Sequence, residues 1–239
     1  MTRPMPTIAC EWGLAGIEAW RNRAAVFVIV DVLSFSTAVS VAVERGATVI
    51  PFPYGDPAAA TAEAARRGAV AASPRGAGGG QLSLSPVSLK MLEPGARVLL
   101  PSPNGARLSL ATGDVPTIAG CLRNASAVAA MADRIAGDGN IVVIAAGERW
   151  PDQSLRPAIE DWLGAGAIVA GSRATADAEA GLAAATYRAA AMELGDVVRA
   201  SRSGRELIGW GYGEDVEVAL EVDATTAVPL LRDLSYGEA

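Results

Sequence analysis

The chain has 239 residues, a net charge of −6 and an isoelectric point near 4.8, with 51% apolar and 19% charged residues and a mean hydropathy of +0.27. This length and composition suit one α/β domain (1–239) with a large core and exclude a disordered chain. The acidic balance excludes a nucleic-acid binder driven by phosphate neutralisation, and the longest apolar runs, 24–30 and 141–146, are too short to span a membrane.

The N-terminus lacks a basic stretch followed by an apolar core, so the expectation is no signal peptide and a cytoplasmic location. There is no His, which removes Ser-His-Asp triads, His general bases and His-ligated zinc together. Acid–base work falls to Asp, Glu, Tyr or Cys, and a metal would be hard and oxygen-bound, which favours Mg²⁺. Of 20 basic residues only Lys90 is a lysine, and its SLKM context is not that of a phosphate-loop lysine. Cys10 and Cys121 read as small buried hydrophobes. Neither is followed six positions later by Arg (Gly16 and Ala127 stand there), which excludes a cysteine-nucleophile phosphatase loop.

Strand and helix alternate along the chain. Residues 24–31 (AAVFVIVD) are a continuous β-branched run, read as a strand buried on both faces. A helix at 37–45 is closed by Gly46, and 47–52 is the next strand. Asp56 and Pro57 are an N-cap and first-turn proline for a helix that ends at Gly68. Residues 69–73 are a candidate strand, and 74–88, with Gly76, Gly78, Gly79 and Gly80, read as a loop. Residues 96–100 form a strand that runs into the loop SPNGA and a short helix. After a strand at 116–120, Asn124 is expected to cap a helix of about twelve residues. A strand at 140–147 leads through a loop to a helix near 158–172. Beyond 175 the chain reads as an Ala-rich helical lobe to about 222, with a last strand at 227–231. This order implies a three-layer α/β/α fold with a mostly parallel sheet and a helical C-terminal insert.

Ligands of such sheets bind beyond the carboxyl ends of the strands. Three polar loops leave those ends: DVLSFST (31–37), SPNGAR (102–107) and GER (147–149) onward. Asp31 ends an apolar strand, where a carboxylate is costly unless solvated, paired or metal-bound. Ser34, Ser36 and Thr37 then open a helix whose free N–H groups favour an anion. Asp31 is therefore either a metal ligand or nucleophile beside a phosphate site, or a strand-end cap of the following turn. Asn104 and Gly105 make a turn in which Gly105 lets the backbone approach a ligand, and Arg107 can fork onto phosphate; the alternative is an ordinary turn with a solvent-facing Arg. Glu160 and Asp161 open a helix, where acids also complement the dipole, and Glu148 follows a strand in a Gly-rich loop. Together with Asp31 they make a candidate Mg²⁺ cluster. Arg205 in SGREL is either a second basic lip for an anion or part of a capped surface helix. The five Trp residues read as core or interface.

These stretches together resemble the 2-phosphosulfolactate phosphatase family. VIVDVLSFSTAVSVAVERGATVIPF, LSLSPVSL, LLPSPNGARLS, GCLRNASAVA, IVVIAAGERW…SLRPAIEDWLGAGAIV and SGRELIGWGYGEDVEVAL match its stations in order, over roughly 24–232. The resemblance implies a three-layer fold and Mg²⁺-dependent hydrolysis of phosphate monoesters of small 2-hydroxycarboxylic acids. It implies Asp31, Asn104, Arg107, Glu148, Glu160 and Asp161 as site residues, the first four as the catalytic set, and the reading of the residues themselves adds Ser36, Thr37, Gly105 and Arg205 as substrate contacts. Metal ligands would come from Asp31, Glu160 and Asp161, with nucleophile and metal-ligand roles not separated. Ser34 stands where the family usually has Arg, Ala106 where it has Thr, and the Glu of its GERxG stretch is absent, leaving Arg75 as the one substitute there.

The sequence therefore carries a leading expectation and an alternative. The first is a phosphatase acting on a small phosphorylated acid; the second is a non-enzymatic anion-binding protein of the same fold. A structural scaffold is a weaker third reading. Neither a nucleic acid nor a membrane is expected as partner, and a homodimer is the base-rate expectation for oligomeric state.

Overall fold

In the computed structural model, which describes residues 6–76 and 82–239, the strands are β1 (Thr7–Trp12), β2 (Ala24–Val30), β3 (Thr48–Pro53), β4 (Val70–Ala71), β5 (Arg97–Ser102), β6 (Thr117–Gly120), β7 (Asn140–Ala145), β8 (Glu148–Arg149), β9 (Leu155–Arg156), β10 (Thr175–Ala176), β11 (Pro229–Arg232) and β12 (Ser235–Glu238). The helices are α1 (Gly13–Trp20), α2 (Phe35–Glu44), α3 (Pro57–Arg66), α4 (Pro86–Leu89), α5 (Gly105–Ala111), α6 (Ala125–Ala136), α7 (Ile159–Gly171), α8 (Ala178–Ala190), α9 (Leu194–Ala200), α10 (Arg202–Gly209) and α11 (Gly213–Ala219). Gly78, Gly79 and Gly80 of the glycine-rich stretch lie outside the described residues.

Ten of the described strands form one mixed, mostly parallel sheet in the order β10-β1-β7-β2-β6-β11-β12-β3-β5-β4. β10, β1, β7, β2 and β6 are mutually parallel, as are β3, β5 and β4. The hairpin β11–β12 joins the two blocks through three antiparallel pairings, so β3 runs opposite to β2.

The three layers follow from the alternation of side chains along each strand. Val26, Val28 and Val30 of β2 face the core under α6, α7 and α8, with Val128, Leu163, Ile168 and Ala180. Phe27 and Ile29 face the other way, onto Ile17 of α1 and Leu108 of α5. Both faces are buried, which is why β2 has no polar residue until Asp31. In the second block, Val49, Val98 and Leu100 pack under α2, whereas Ile50 and Leu99 pack under α3. Among the described residues no helix is long and apolar enough to cross a membrane.

The expected elements recur with small boundary shifts. Asp56 caps α3 through Ala58 N–H, and Gly46 and Gly68 adopt positive φ after α2 and α3. Four features differ. β1 and α1 precede the first expected strand, because TIACEW is too short and too mixed to stand out before it pairs with β7. β12 follows the last expected strand as the return arm of a tight hairpin. The segments read as loops contain α4 and the small β8–β9 hairpin. Asn124 precedes α6 but does not cap it. Its Oδ1 accepts from Cys121 N–H and its Nδ2 donates to the Ala227 carbonyl, so it joins β6 to the entry of β11 instead.

Candidate active site

The loops after β2, β5 and β7 meet, and carboxylates tie each pair of them. Asp31, just past β2, accepts from Phe35 N–H at 3.1 Å and, across to the β5 loop, from Gly105 N–H at 2.8 Å. Asp161 in the first turn of α7 accepts from Val32 N–H at 2.7 Å and from Gly147 N–H at 2.9 Å, which ties the β2 loop to the β7 loop. Glu148 accepts from Asn104 Nδ2 at 2.9 Å, closing the triangle between the β7 and β5 loops. Both oxygens of Asp31 and of Asp161 are thus taken by backbone amides of different segments, so the three loops are cross-tied.

Gly105 is required by this closeness. A Cβ there would fall 2.3 Å from Phe35 Cδ1 and 2.8 Å from Asp31 Oδ2. Ser36 and Thr37, expected to meet a substrate, are fully buried and turned inward. Ser36 Oγ donates to the Ile29 carbonyl and accepts from Asp31 N–H, and Thr37 Oγ1 donates to the Val32 carbonyl. The first amides of α2 are likewise occupied by Asp31, so this end of α2 is capped from within.

The electrostatics are those of crowded carboxylates. Burial, reinforced by the charge of Glu148, pushes the Asp31 carboxyl up to about 7 despite its two amide donors and Arg75. Burial, then Asp31 and Glu160, raises Asp161 well above the carboxylate range. Burial raises Glu148 as well, with Glu160 adding to it and Asn104 and Arg156 opposing. These are carboxylates repelling one another with little cationic compensation.

Glu148 stands at the junction of three cavities. A cleft of about 590 Å³ is lined by Asn104 and Glu148 together with Arg75, Arg149, Arg156 and Arg202. A groove of about 250 Å³ on the other side of Asn104 holds Arg107 and Arg149. Burial and the neighbouring Arg107 cation lower the pKa of Arg149, as expected for guanidinium groups gathered around a space for an anion. A third lobe, of about 770 Å³, shares Arg75 and Glu148 with the main cleft. Trp150 in the cleft wall lies 4.9 Å from the Arg202 guanidinium and 6.0 Å from that of Arg156.

Of the expected residues, the fold thus gathers Asp31, Asn104, Gly105, Arg107, Glu148, Glu160 and Asp161. Arg205 stays apart: it is exposed and donates to the Ala200 carbonyl. Arg202, Ser203 and Glu206 of α10, with Trp210 just past its end, take the cleft instead, and Arg202, Glu206 and Trp210 recur every four residues on one side of the helix. That four-residue recurrence is the signal in the sequence that points to this face, and the structure adds the pairing of Arg156 and Arg202 with Glu206.

The expected metal triad of Asp31, Glu160 and Asp161 does not form a cage. Among the described residues no three His, Cys, Asp or Glu side chains are grouped to hold one ion. Asp31 and Asp161 each give both oxygens to amides, and consecutive residues of a helix, such as Glu160 and Asp161, diverge by about 100°. The donor set still fits a hard cation bound by one or two carboxylates. All donors are oxygens, the carboxyls are raised by burial and by one another's charge, and each amide-bound oxygen keeps a second lone pair.

Arg75 reaches Ser34 from the loop after β4. Its guanidinium donates to Ser34 Oγ at 2.7 Å and to the Leu84 carbonyl, pairs with buried Asp215 at 3.2 Å and lies 5.3 Å from the Tyr212 ring. Asp215 is held in turn by Ser85 Oγ–H.

Fold and site define an α/β protein with a carboxylate-bound loop junction under an arginine-lined cleft, and the chain belongs to the 2-phosphosulfolactate phosphatase family, whose profile matches residues 16–233. Within that family it is similar to a 2-phosphosulfolactate phosphatase of Methanothermobacter thermautotrophicus, 32% identical over 210 residues that make up 86% of each chain.

Proposed function

We propose that the chain is a Mg²⁺-dependent phosphatase that hydrolyses phosphate monoesters of small 2-hydroxycarboxylic acids, with 2-phosphosulfolactate the first substrate to test. The observation that carries this reading is Glu148, raised by burial and held by Asn104 where three arginine-bearing cavities meet. Family membership and the name of the relative support the same chemistry.

In this reading Arg75, Arg107 and Arg149 neutralise the phosphate and carboxylate oxygens of the substrate. Guanidinium groups suit this because their forked N–H donors match planar and tetrahedral oxyanions. Glu148 exchanges the proton that the reaction moves at the leaving oxygen or the attacking water, helped by a carboxyl pKa shifted toward neutrality. Asn104 orients the Glu148 carboxylate. Asp31, through the lone pairs its amide donors leave free, would hold Mg²⁺, which when bound stabilises charge on the transferring phosphoryl group and its attacking or leaving oxygen. Asp161 fixes the loops rather than meeting substrate.

Arg75 supplies a cation that both this reading and that of a non-catalytic anion-binding protein of the same fold use, so phosphate release is what separates the two. Its guanidinium stands on Ser34 Oγ, beside the position where the family's usual Arg is missing.

The test is phosphate release by Glu148→Gln and Asp31→Asn beside the parent, with folding checked by circular dichroism. The expected result is a loss of roughly 10²-fold or more for Glu148→Gln, whose amide oxygen still accepts from Asn104. An unchanged rate in folded Glu148→Gln or Asp31→Asn would remove that residue from the mechanism.

A further inference from the structure

The lobe of about 770 Å³ beside Glu148 is much larger than a three-carbon acid needs. Cavities of some 300–1,000 Å³ enclose drug-sized ligands. Its walls are also the wrong chemistry for a second anion. Pro53, Pro57, Pro74, Pro101 and Pro103 contribute five stretches of wall without a backbone N–H. The charged lining residues are Arg75 and Glu148, shared with the catalytic cleft, and Asp56, which caps α3. Tyr54 and Trp210 line both this lobe and the main cleft, and they are 60% and 67% exposed. Large aromatic side chains left open at the mouth of a preformed cavity are suited to cover an apolar group of a ligand.

We propose that the ester this chain acts on carries an aromatic group on its carbon skeleton. The group lies in this lobe against Tyr54 and Trp210, while the phosphate and carboxylate face Arg75, Arg149 and Glu148. This inference rests on the phosphatase reading for the position of the phosphate, and it adds the substrate class. The prolines at the ends of β3 and β5 make the lobe rigid, so it costs little ordering on binding.

The experiment compares 2-phospho-3-phenyllactate with 2-phospholactate, which differ by the phenyl ring alone. Affinity is measured by calorimetry and turnover by phosphate release, on the full chain. The phenyl ester should bind and turn over at least roughly tenfold better, the scale expected for one buried ring. Tyr54→Ala and Trp210→Ala should move that ratio toward one, and Trp210→Phe should restore it. Equal affinity for the two esters overturns the inference, as does a preference that survives both alanine substitutions. A preference for the phenyl ester in binding, with no phosphate released from either compound, supports the aromatic subsite and overturns the phosphatase reading instead.

Discussion

Replacing Gly105 by Ala tests how tightly the loops after β2 and β5 are held. The added methyl would sit 2.3 Å from Phe35 Cδ1, and Phe35 has no room to retreat, being fully buried and packed edge-on against Tyr236 with ring centroids 6.2 Å apart. Overpacking of this kind costs about 1–3 kcal/mol. Relief by drawing α5 away would instead break the Gly105 N–H bond to Asp31 and leave a buried polar group unpaired, at about 1–3 kcal/mol. Ala returns at most about 1 kcal/mol of helix propensity. The net expectation by either route is destabilisation of roughly 1–3 kcal/mol, which for a chain of this size lowers Tm by about 2–12 °C. Asn104 is the adjacent residue, so phosphate release should fall by roughly 10²-fold as its contact with Glu148 shifts. Urea denaturation and a phosphate-release assay on the same sample decide it. A variant with parental denaturation midpoint and parental rate would refute the reasoning.

Other consequences can be checked in the same way. Arg75→Lys keeps a charge but not the fork that reaches Ser34, Leu84 and Asp215, so substrate KM should rise roughly tenfold with a smaller change in kcat; an unchanged KM argues against an anion-binding role. In metal-free protein, Asp31 keeps its proton to about pH 7 when folded but only to about pH 4 when unfolded. Between those values the folded state binds more protons, so stability should fall as pH rises, by an amount on the order of a few kcal/mol. Bound Mg²⁺ should offset this loss, and the rise in Tm on adding Mg²⁺ should be larger at pH 8 than at pH 5. A metal effect independent of pH contradicts it.

Much of the site could be read from the chain because its residues break local rules. An acid at the end of a wholly apolar strand needs a reason, and Asp31 has one in the amides of Phe35 and Gly105. Three polar loops at strand ends suggested a meeting point, and hydrogen bonds from all three loops now define it. What escaped the reading depends on side-chain direction. Nothing in the spacing of Ser36 and Thr37 says that their hydroxyls turn back onto the Ile29 and Val32 carbonyls. The inner role of Asp161 needs the loops of β2 and β7 side by side, a contact spanning 129 residues for Val32. On α10 the choice between Arg202 and Arg205 was open to helical periodicity, since Ser203, Glu206 and Trp210 share the cleft face. β1 is short and mixed, and its identity as a strand comes from pairing with β7 rather than from its own composition. The reversal of β3 relative to β2 is set by the last hairpin, far along the chain from both.

The most direct measurement of the central claim is release of inorganic phosphate from phosphate monoesters of 2-hydroxy acids, 2-phosphosulfolactate and 2-phospho-3-phenyllactate among them, by the purified chain, with Mg²⁺ and with chelator. The account predicts turnover that chelator abolishes and added Mg²⁺ restores. Well-folded protein that releases no phosphate in either condition, while still binding the ester, would contradict it.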